Sequence, residues 1–417
     1  MNYDIISPMG KKFILFILFF SVLAVGMGLR INNLNNIAGR SPDEKIYTQE
    51  AKIIALKGWK GTRLLIQEYN LNKELWIYPP PIRLGYLWLV ASVMKMTNSM
   101  EEKVGAYISC AFSIISLLLL IVLGLRFFNP WITLSALLFM SVSPMDLAIS
   151  RRTWQDAMLG CIGLSLIYFC CELTRNTHKL IWYIPFIIVG SYCILIKESG
   201  MLIYGLCTFW ILWIIFVKER SFLKGFIFMI VSGVAISASL LTLVYAAGGI
   251  KPIIEVLTHI KEAMPTNIYA VEYQSGPWYY FLQGFWIISP VNAFLCVFGI
   301  AGAFLSSLPN DKNRSAIFSI IFFMVVFMTI TILTPYCQNL RYVSVLYVPF
   351  YLMAGLGLWY IVSFIKLKTK DSFVYIAIAF IIAIILVAAG DYRNFKKIFV
   401  RTGILDVSIR MVKEYSR

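Results

Sequence analysis

The chain reads as a succession of apolar runs near twenty residues long, broken by short polar stretches. The first is "MGKKFILFILFFSVLAVGMGLR", and similar runs predict spans at roughly 12–29, 104–125, 130–149, 156–173, 180–196, 200–217, 224–247, 278–306, 315–335, 341–365 and 372–390. About twenty helical residues are needed to cross ~30 Å of hydrocarbon. The pattern therefore predicts an all-α polytopic membrane protein of about eleven transmembrane helices. The opening run has the basic start of a signal peptide. Its core is too long for one and no clear A-x-A site follows, so it is expected to stay as the first helix.

One stretch resists the pattern. "IRLGYLWLVASVMKMT", residues 82–97, would reach only about 24 Å as a helix and is flanked by Arg83 and Lys95. The positive-inside rule decides its placement. If it does not span, and Lys11 and Lys12 are cytoplasmic, then Arg126, "RNTHK" at 175–179, "KERSFLK" at 218–224, "NDKNR" at 310–314 and "KLKTK" at 366–370 all fall inside. If it spans, those basic loops face out. The non-spanning reading follows the rule, with the basic residues after 390 as the one discordant segment. A first external loop at 30–103 and a second at 248–277 result.

Within the first loop, "SPDEKIYTQEAKIIALKG" predicts an interfacial helix. Ser41 suits the cap, Pro42 the first turn, and Asp43 and Glu44 complement the helix dipole. An apolar stripe at Ile46, Ala51, Ile53, Ile54 and Leu56 ends near Gly58. "YPPPIRLGYLWLV" then holds an extended segment before the next helix.

Composition agrees with this class. The chain is 59% hydrophobic and 14% charged, where soluble domains carry about a quarter charged residues. The net charge of +16 sits mostly in loops and tails, which points to orientation and anionic lipid rather than nucleic acid. Eight cysteines lie without CxxC spacing and only two histidines occur, so packing thiols are expected and a His-based zinc site is not.

The same topology gathers the remaining ionisable residues on the outer face: the Asp43-Glu44 pair, "SRRTWQD" with Asp156, "KESG" with Lys197, and "PYCQNLRY" with Arg341. Each has a plain alternative role. Asp43, Glu44 and Asp156 can serve helix starts, Lys197 can pair with Glu198 beside it, and Arg341 can snorkel to headgroups. Ionisable groups near the bilayer are usually functional, and their convergence favours a site.

In order, "DEKIY", "PPP" before an apolar helix, "SRRTWQD", a membrane-edge Lys, "GPWYY" and "NLRYVSVLYVPF" resemble the GT-C membrane glycosyltransferases. The resemblance runs from about residue 10 to about 360 and is nearest the branch of protein O-mannosyltransferases and lipid A aminoarabinose transferases. It implies a GT-C-like bundle over 1–390, followed by a basic tail at 391–417. It implies an enzyme that moves a hexosyl or pentosyl group from a polyprenyl phosphate to an acceptor (protein, glycan or lipid) on the non-cytoplasmic face, with inversion. Asp43 is the expected base and Glu44 a helper or structural acid. Asp156, Lys197, Arg341, Tyr342, Tyr47 and Arg83 are expected to bind substrate. Asp156 either orients the acceptor or holds a divalent ion together with Asp43; no other cofactor is implied. Relatives acting on lipid A often carry Lys before the proline pair, where this chain has Tyr78, which leaves the phosphate partners and the aminoarabinose reaction open. The expected location is a bacterial inner or plasma membrane, the expected partners the lipid-linked donor and membrane lipids. A transporter or flippase of a lipid-linked sugar is the alternative; it would show repeated halves and broken helices with midplane charges, and no internal repeat is evident.

Overall fold

The computed structural model describes residues 8–32, 34, 41–305, 313–368, 373–401 and 407–416. Arg40 and the tips of the basic loops at 310–314 and 366–370 lie outside the described residues.

Helix α1 (Pro8–Ile31) enters the bundle. Arg30, fully buried near its end, donates to Asp146 at 2.5 Å and to the carbonyls of Gly26, Met140 and Ser141. A buried guanidinium is tolerable when its donors are satisfied in this way. The first loop then forms α2 (Pro42–Lys57) and α3 (Trp59–Leu71). The break between them is Gly58 at φ +57°, a conformation that costs most residues energy and glycine little. After the prolines at 79–81 comes α4 (Leu84–Thr97), ended by Asn98 in the left-handed region at φ 51°.

At fourteen residues α4 is about 21 Å long, short of the hydrocarbon core. It lies against α2 and also packs on α5 (Lys103–Phe127) and α9 (Tyr183–Ile196). Leu84, Leu87, Val90 and Met94 are buried in those contacts. The segment expected not to span is thus packed against the bundle.

Two expected spans are broken. The run at 130–149 divides into α6 (Pro130–Ser141) and α7 (Pro144–Ile149), because Pro144 has no N–H to continue the ladder and Ser143 caps the new start through Asp146 N. The run at 278–306 divides into α14 (Tyr280–Ile288) and α15 (Pro290–Leu305), bent by 119°. Pro290 ends the ladder there. Asp391 of α18 (Phe373–Phe395) pins the corner, accepting from Ser289 Oγ at 2.6 Å and Asn292 Nδ2 at 2.9 Å.

The long helices α8 (Asp156–Arg175), α10 (Glu198–Trp213), α11 (Phe222–Ala247) and α16 (Arg314–Leu333) complete the bundle with α17 (Tyr347–Lys368). Helices α15 and α17 meet closely through glycines: a Cβ at Gly299 would lie 2.0 Å from Met353 O. Small residues let backbones approach in membrane bundles. Among the described residues, seven helices are long and apolar enough to cross a membrane, or eight if the bent pair is one span. The count of about eleven is not confirmed: the runs at 130–149, 180–196 and 278–306 are short or bent, and the one at 372–390 is not among the seven. The all-α membrane fold is confirmed.

The loop at 248–277 holds the amphipathic α12 (Ile250–Ala263) and the short α13 (Ile268–Tyr273). The chain end returns to the bundle: α19 (Ile409–Ser416) packs on α14, and Leu340 N donates to Val407 O at 3.1 Å.

Candidate active site

Helix α2 carries its functional residues on one face. Asp43, Tyr47, Glu50 and Ile54 recur at helical spacing, while Glu44 is turned about 100° away. That turn decides the fate of the acidic pair.

Glu44 is fully buried. It accepts from Ser41 N at 3.0 Å, Thr153 N at 2.9 Å and Arg152 Nη1 at 3.1 Å. It thereby ties the start of α2 to the "RRTW" turn ahead of α8, and Ser41 Oγ receives Trp154 Nε1 at 3.2 Å. Glu44 does not line the cavity that Asp43 lines. Of the two roles expected for Glu44, helper or structural acid, these anchoring bonds suit the structural one.

Asp43 remains partly open, its side chain 25% exposed, and meets Arg341 Nη2 at 2.9 Å. Arg341 stands at the start of a 3-10 turn, Leu340–Leu346, ahead of α17. Its backbone N–H is held by Asn339 Oδ1 at 3.1 Å. The guanidinium lies over the rings of Trp154 at 4.9 Å and Tyr342 at 5.3 Å, contacts of the cation–π kind. Its Nε is buried and has no hydrogen-bond acceptor among the described residues. Headgroup snorkelling does not describe this residue, which is enclosed by the bundle.

Lys197 pairs with Asp156 rather than with its neighbour Glu198. Its Nζ is 2.7 Å from Asp156 Oδ1 and 4.2 Å from the centre of the Tyr342 ring. Glu198 instead takes two bonds of 3.2 Å from Arg83. Arg83 also donates to the Tyr47 hydroxyl. Burial, with Asp43 and Asp156 adding to it, holds the Tyr47 phenol well above its usual range despite Arg83, so it stays protonated.

Asp43, Arg83, Arg341 and Tyr342 line one cavity of about 110 Å³, together with Tyr78, Pro79 and Gln274. Gln274 accepts the Tyr342 hydroxyl at 3.2 Å. Asp156 and Lys197 are buried and do not line it; Lys197, held by Asp156, lies against the Tyr342 ring. Glu198, considered from sequence only as a partner of Lys197, completes the site with Trp154 and Gln274, which were not singled out. Only the tryptophan had a visible signal, its place within "SRRTWQD".

Two carboxylates, Asp43 and Asp156, were the possible metal ligands. Each is held by its own cation, and among the described residues no group of three His, Cys, Asp or Glu side chains is placed to hold a metal ion. Two carboxylates each engaged by a cation offer a poor donor set for a divalent ion.

A carboxylate base candidate thus lies beside two guanidinium groups at one mouth. The arrangement suits a reaction in which an oxyanion leaves and a proton is taken up.

No protein-family model matches the sequence, and no curated protein is similar to it. Solved structures share its fold. ArnT from Cupriavidus metallidurans in the apo state superposes with a TM-score of 0.54 at 14% identity, covering 96% of this chain and 76% of that one. The Archaeoglobus fulgidus oligosaccharyltransferase tethered to an acceptor peptide gives 0.57 at 12%, covering 95% and 56%. Arabinosyltransferase EmbB from Mycobacterium smegmatis gives 0.53 at 13%, covering 95% and 40%. The chain therefore spans about half the length or less of the last two. The fold is GT-C, as the order of sequence motifs implied.

Proposed function

We propose that this GT-C-fold membrane protein is a glycosyltransferase that takes a sugar from a polyprenyl-phosphate donor and passes it to an acceptor hydroxyl on the non-cytoplasmic face. The observation that carries the reading is the Asp43–Arg341 pair at 2.9 Å on a shared cavity, with Arg83 beside it. The ArnT structure bound to undecaprenyl phosphate, with a TM-score of 0.50 at 11% identity, supports a lipid-phosphate donor for this fold.

Each residue then has a task. Arg341 exchanges its contact with Asp43 for the donor phosphate, offering its free Nε and a planar fork that matches phosphate oxygens. Asp43 is thereby released to accept the proton of the acceptor hydroxyl. The acceptor oxygen bonds to the anomeric carbon as that carbon's bond to the phosphate oxygen breaks; the proton ends on Asp43 and the electron pair on polyprenyl phosphate. A single displacement inverts the anomeric centre. A positioned base contributes roughly 10² to 10⁴ in rate, and cations aimed at the departing oxyanion contribute further. Tyr342, fixed by Gln274, Lys197 and Arg341, forms the floor of the site.

The test uses purified full-length protein with a set of polyprenyl-phosphate sugars and crude membrane acceptors, scoring release of polyprenyl phosphate. Release that depends on Asp43 supports the assignment. No release from any donor, with no binding of undecaprenyl phosphate, refutes it.

A further inference from the structure

A second cavity lies on the other side of Tyr78 and Pro79, which line both it and the Asp43 cavity. It measures about 450 Å³ and is walled by α2, α3 and the turn at Lys73–Ile77, a size typical of small-molecule sites. Glu50 stands in its wall, 7% exposed, and Oε2 has no hydrogen-bond partner among the described residues. Such a carboxyl is unfavourable to bury unless something supplies the missing bond. Among the described residues no cation is paired with it at contact distance.

The lining indicates what would supply that bond. Ile53, Leu65 and the rings of Tyr69 and Tyr78 give apolar faces, while Glu50, Glu68 and Lys52 are the charged groups around them. The guanidinium groups of the phosphate site do not reach this lining, so an anionic donor headgroup is disfavoured. Burial raises the Glu50 carboxyl to about 8 against the opposing field of Arg83. At neutral pH it is then uncharged, able both to donate and to accept. A neutral ring with hydroxyl edges and carbon faces matches that set.

Position matters as much as chemistry. Glu50 follows Asp43 by seven residues on the same face of α2, about 10.5 Å along the axis. A short oligosaccharide spans that separation. We propose that the Glu50 cavity is an acceptor-side subsite that binds a neutral sugar ring of a glycan acceptor, with Glu50 hydrogen-bonded to a ring hydroxyl two helical turns from the transfer point. The assignment of that ring as an acceptor rests on the glycosyl-transfer reading above.

The experiment takes the full chain in lipid nanodiscs and measures saturation-transfer NMR with a panel of neutral methyl disaccharides. Undecaprenyl phosphate binding is measured in parallel. The wild type should show transfer to at least one disaccharide. Glu50→Leu and the cavity-filling Ile53→Trp should weaken it about tenfold or more, the worth of a lost hydrogen bond and its shape, while undecaprenyl phosphate binds as before. Glu50→Gln should stay within a few-fold of wild type, since an amide still donates and accepts. Dicyclohexylcarbodiimide, which modifies protonated buried carboxyls, should label Glu50 in the wild type, and the bound disaccharide should protect it. This readout needs no substitution to fold. Disaccharide binding unchanged in both Glu50→Leu and Ile53→Trp, or absent from a wild type that binds undecaprenyl phosphate, overturns the subsite. A wild type that fails to bind undecaprenyl phosphate overturns the transfer reading instead, and with it the acceptor assignment.

Discussion

Asp43 and Glu44 are chemically alike and adjacent, yet their neutral isosteres should fail in opposite ways. Glu44→Gln removes the charge that faces Arg152, whose side chain is only 9% exposed, and sets an amide against the N–H groups of Ser41 and Thr153. Breaking a buried pair of this kind costs ~3–5 kcal/mol, a fall of roughly 3–6 °C in melting temperature for a chain of this length. Turnover per folded molecule should remain within about threefold of wild type, because Glu44 touches no cavity wall. Asp43→Asn keeps an oxygen for Arg341 Nη2 in a partly solvated position and should cost only ~1 kcal/mol of stability. Its turnover should drop by roughly 10² to 10⁴, with undecaprenyl phosphate binding retained. Both variants are assayed as monodisperse detergent-solubilised protein, by thermal melting and by polyprenyl phosphate release. A Glu44→Gln protein that melts normally but does not turn over, beside an active Asp43→Asn, refutes the division of labour.

Arg341→Ala should lower donor turnover by roughly 10² to 10³ through loss of a cation at the leaving oxyanion, and Arg341→Lys should restore only part because the planar fork is gone; normal kinetics in the Ala variant would leave the residue a stacking role on Trp154. On pH, Glu50 is raised from 4.5 to about 8 by burial, with Arg83 opposing. The folded state therefore binds this proton more tightly than the unfolded state. Stability should fall as pH rises from about 4.5 to about 8, by at most ~5 kcal/mol, and then level off. Melting curves of Glu50→Gln should be flatter over that window, and an identical slope in both proteins would refute the shift. For sidedness, Glu272 and Lys218 are exposed. In a Cys337→Ser background, Glu272→Cys should react with an impermeant thiol reagent in intact cells and Lys218→Cys should not; the reverse result would turn the site to the cytoplasm.

Much of this protein was legible along the chain. Long apolar runs report the membrane, because hydrocarbon demands internally bonded helices of a set length. The start of α2 was legible as well, since Ser41 and Pro42 act on their own turn. So was the convergence of Asp43, Asp156, Lys197 and Arg341, which follows from where the apolar runs end. Partners were not. Lys197 bypasses adjacent Glu198 for Asp156, and Arg83 takes Glu198 from 115 residues away, because pairing depends on which helix ends the bundle packs together. The breaks at Ser143 and Ser289 were hidden for a similar reason: a proline in an apolar run marks where a helix can stop, and the tertiary surroundings settle whether it does. The separate fates of Asp43 and Glu44 needed the fold most of all. Two acids one residue apart differ by about 100° around a helix axis, and only the neighbours of that helix determine that one side meets Arg152 in the core while the other opens onto a cavity.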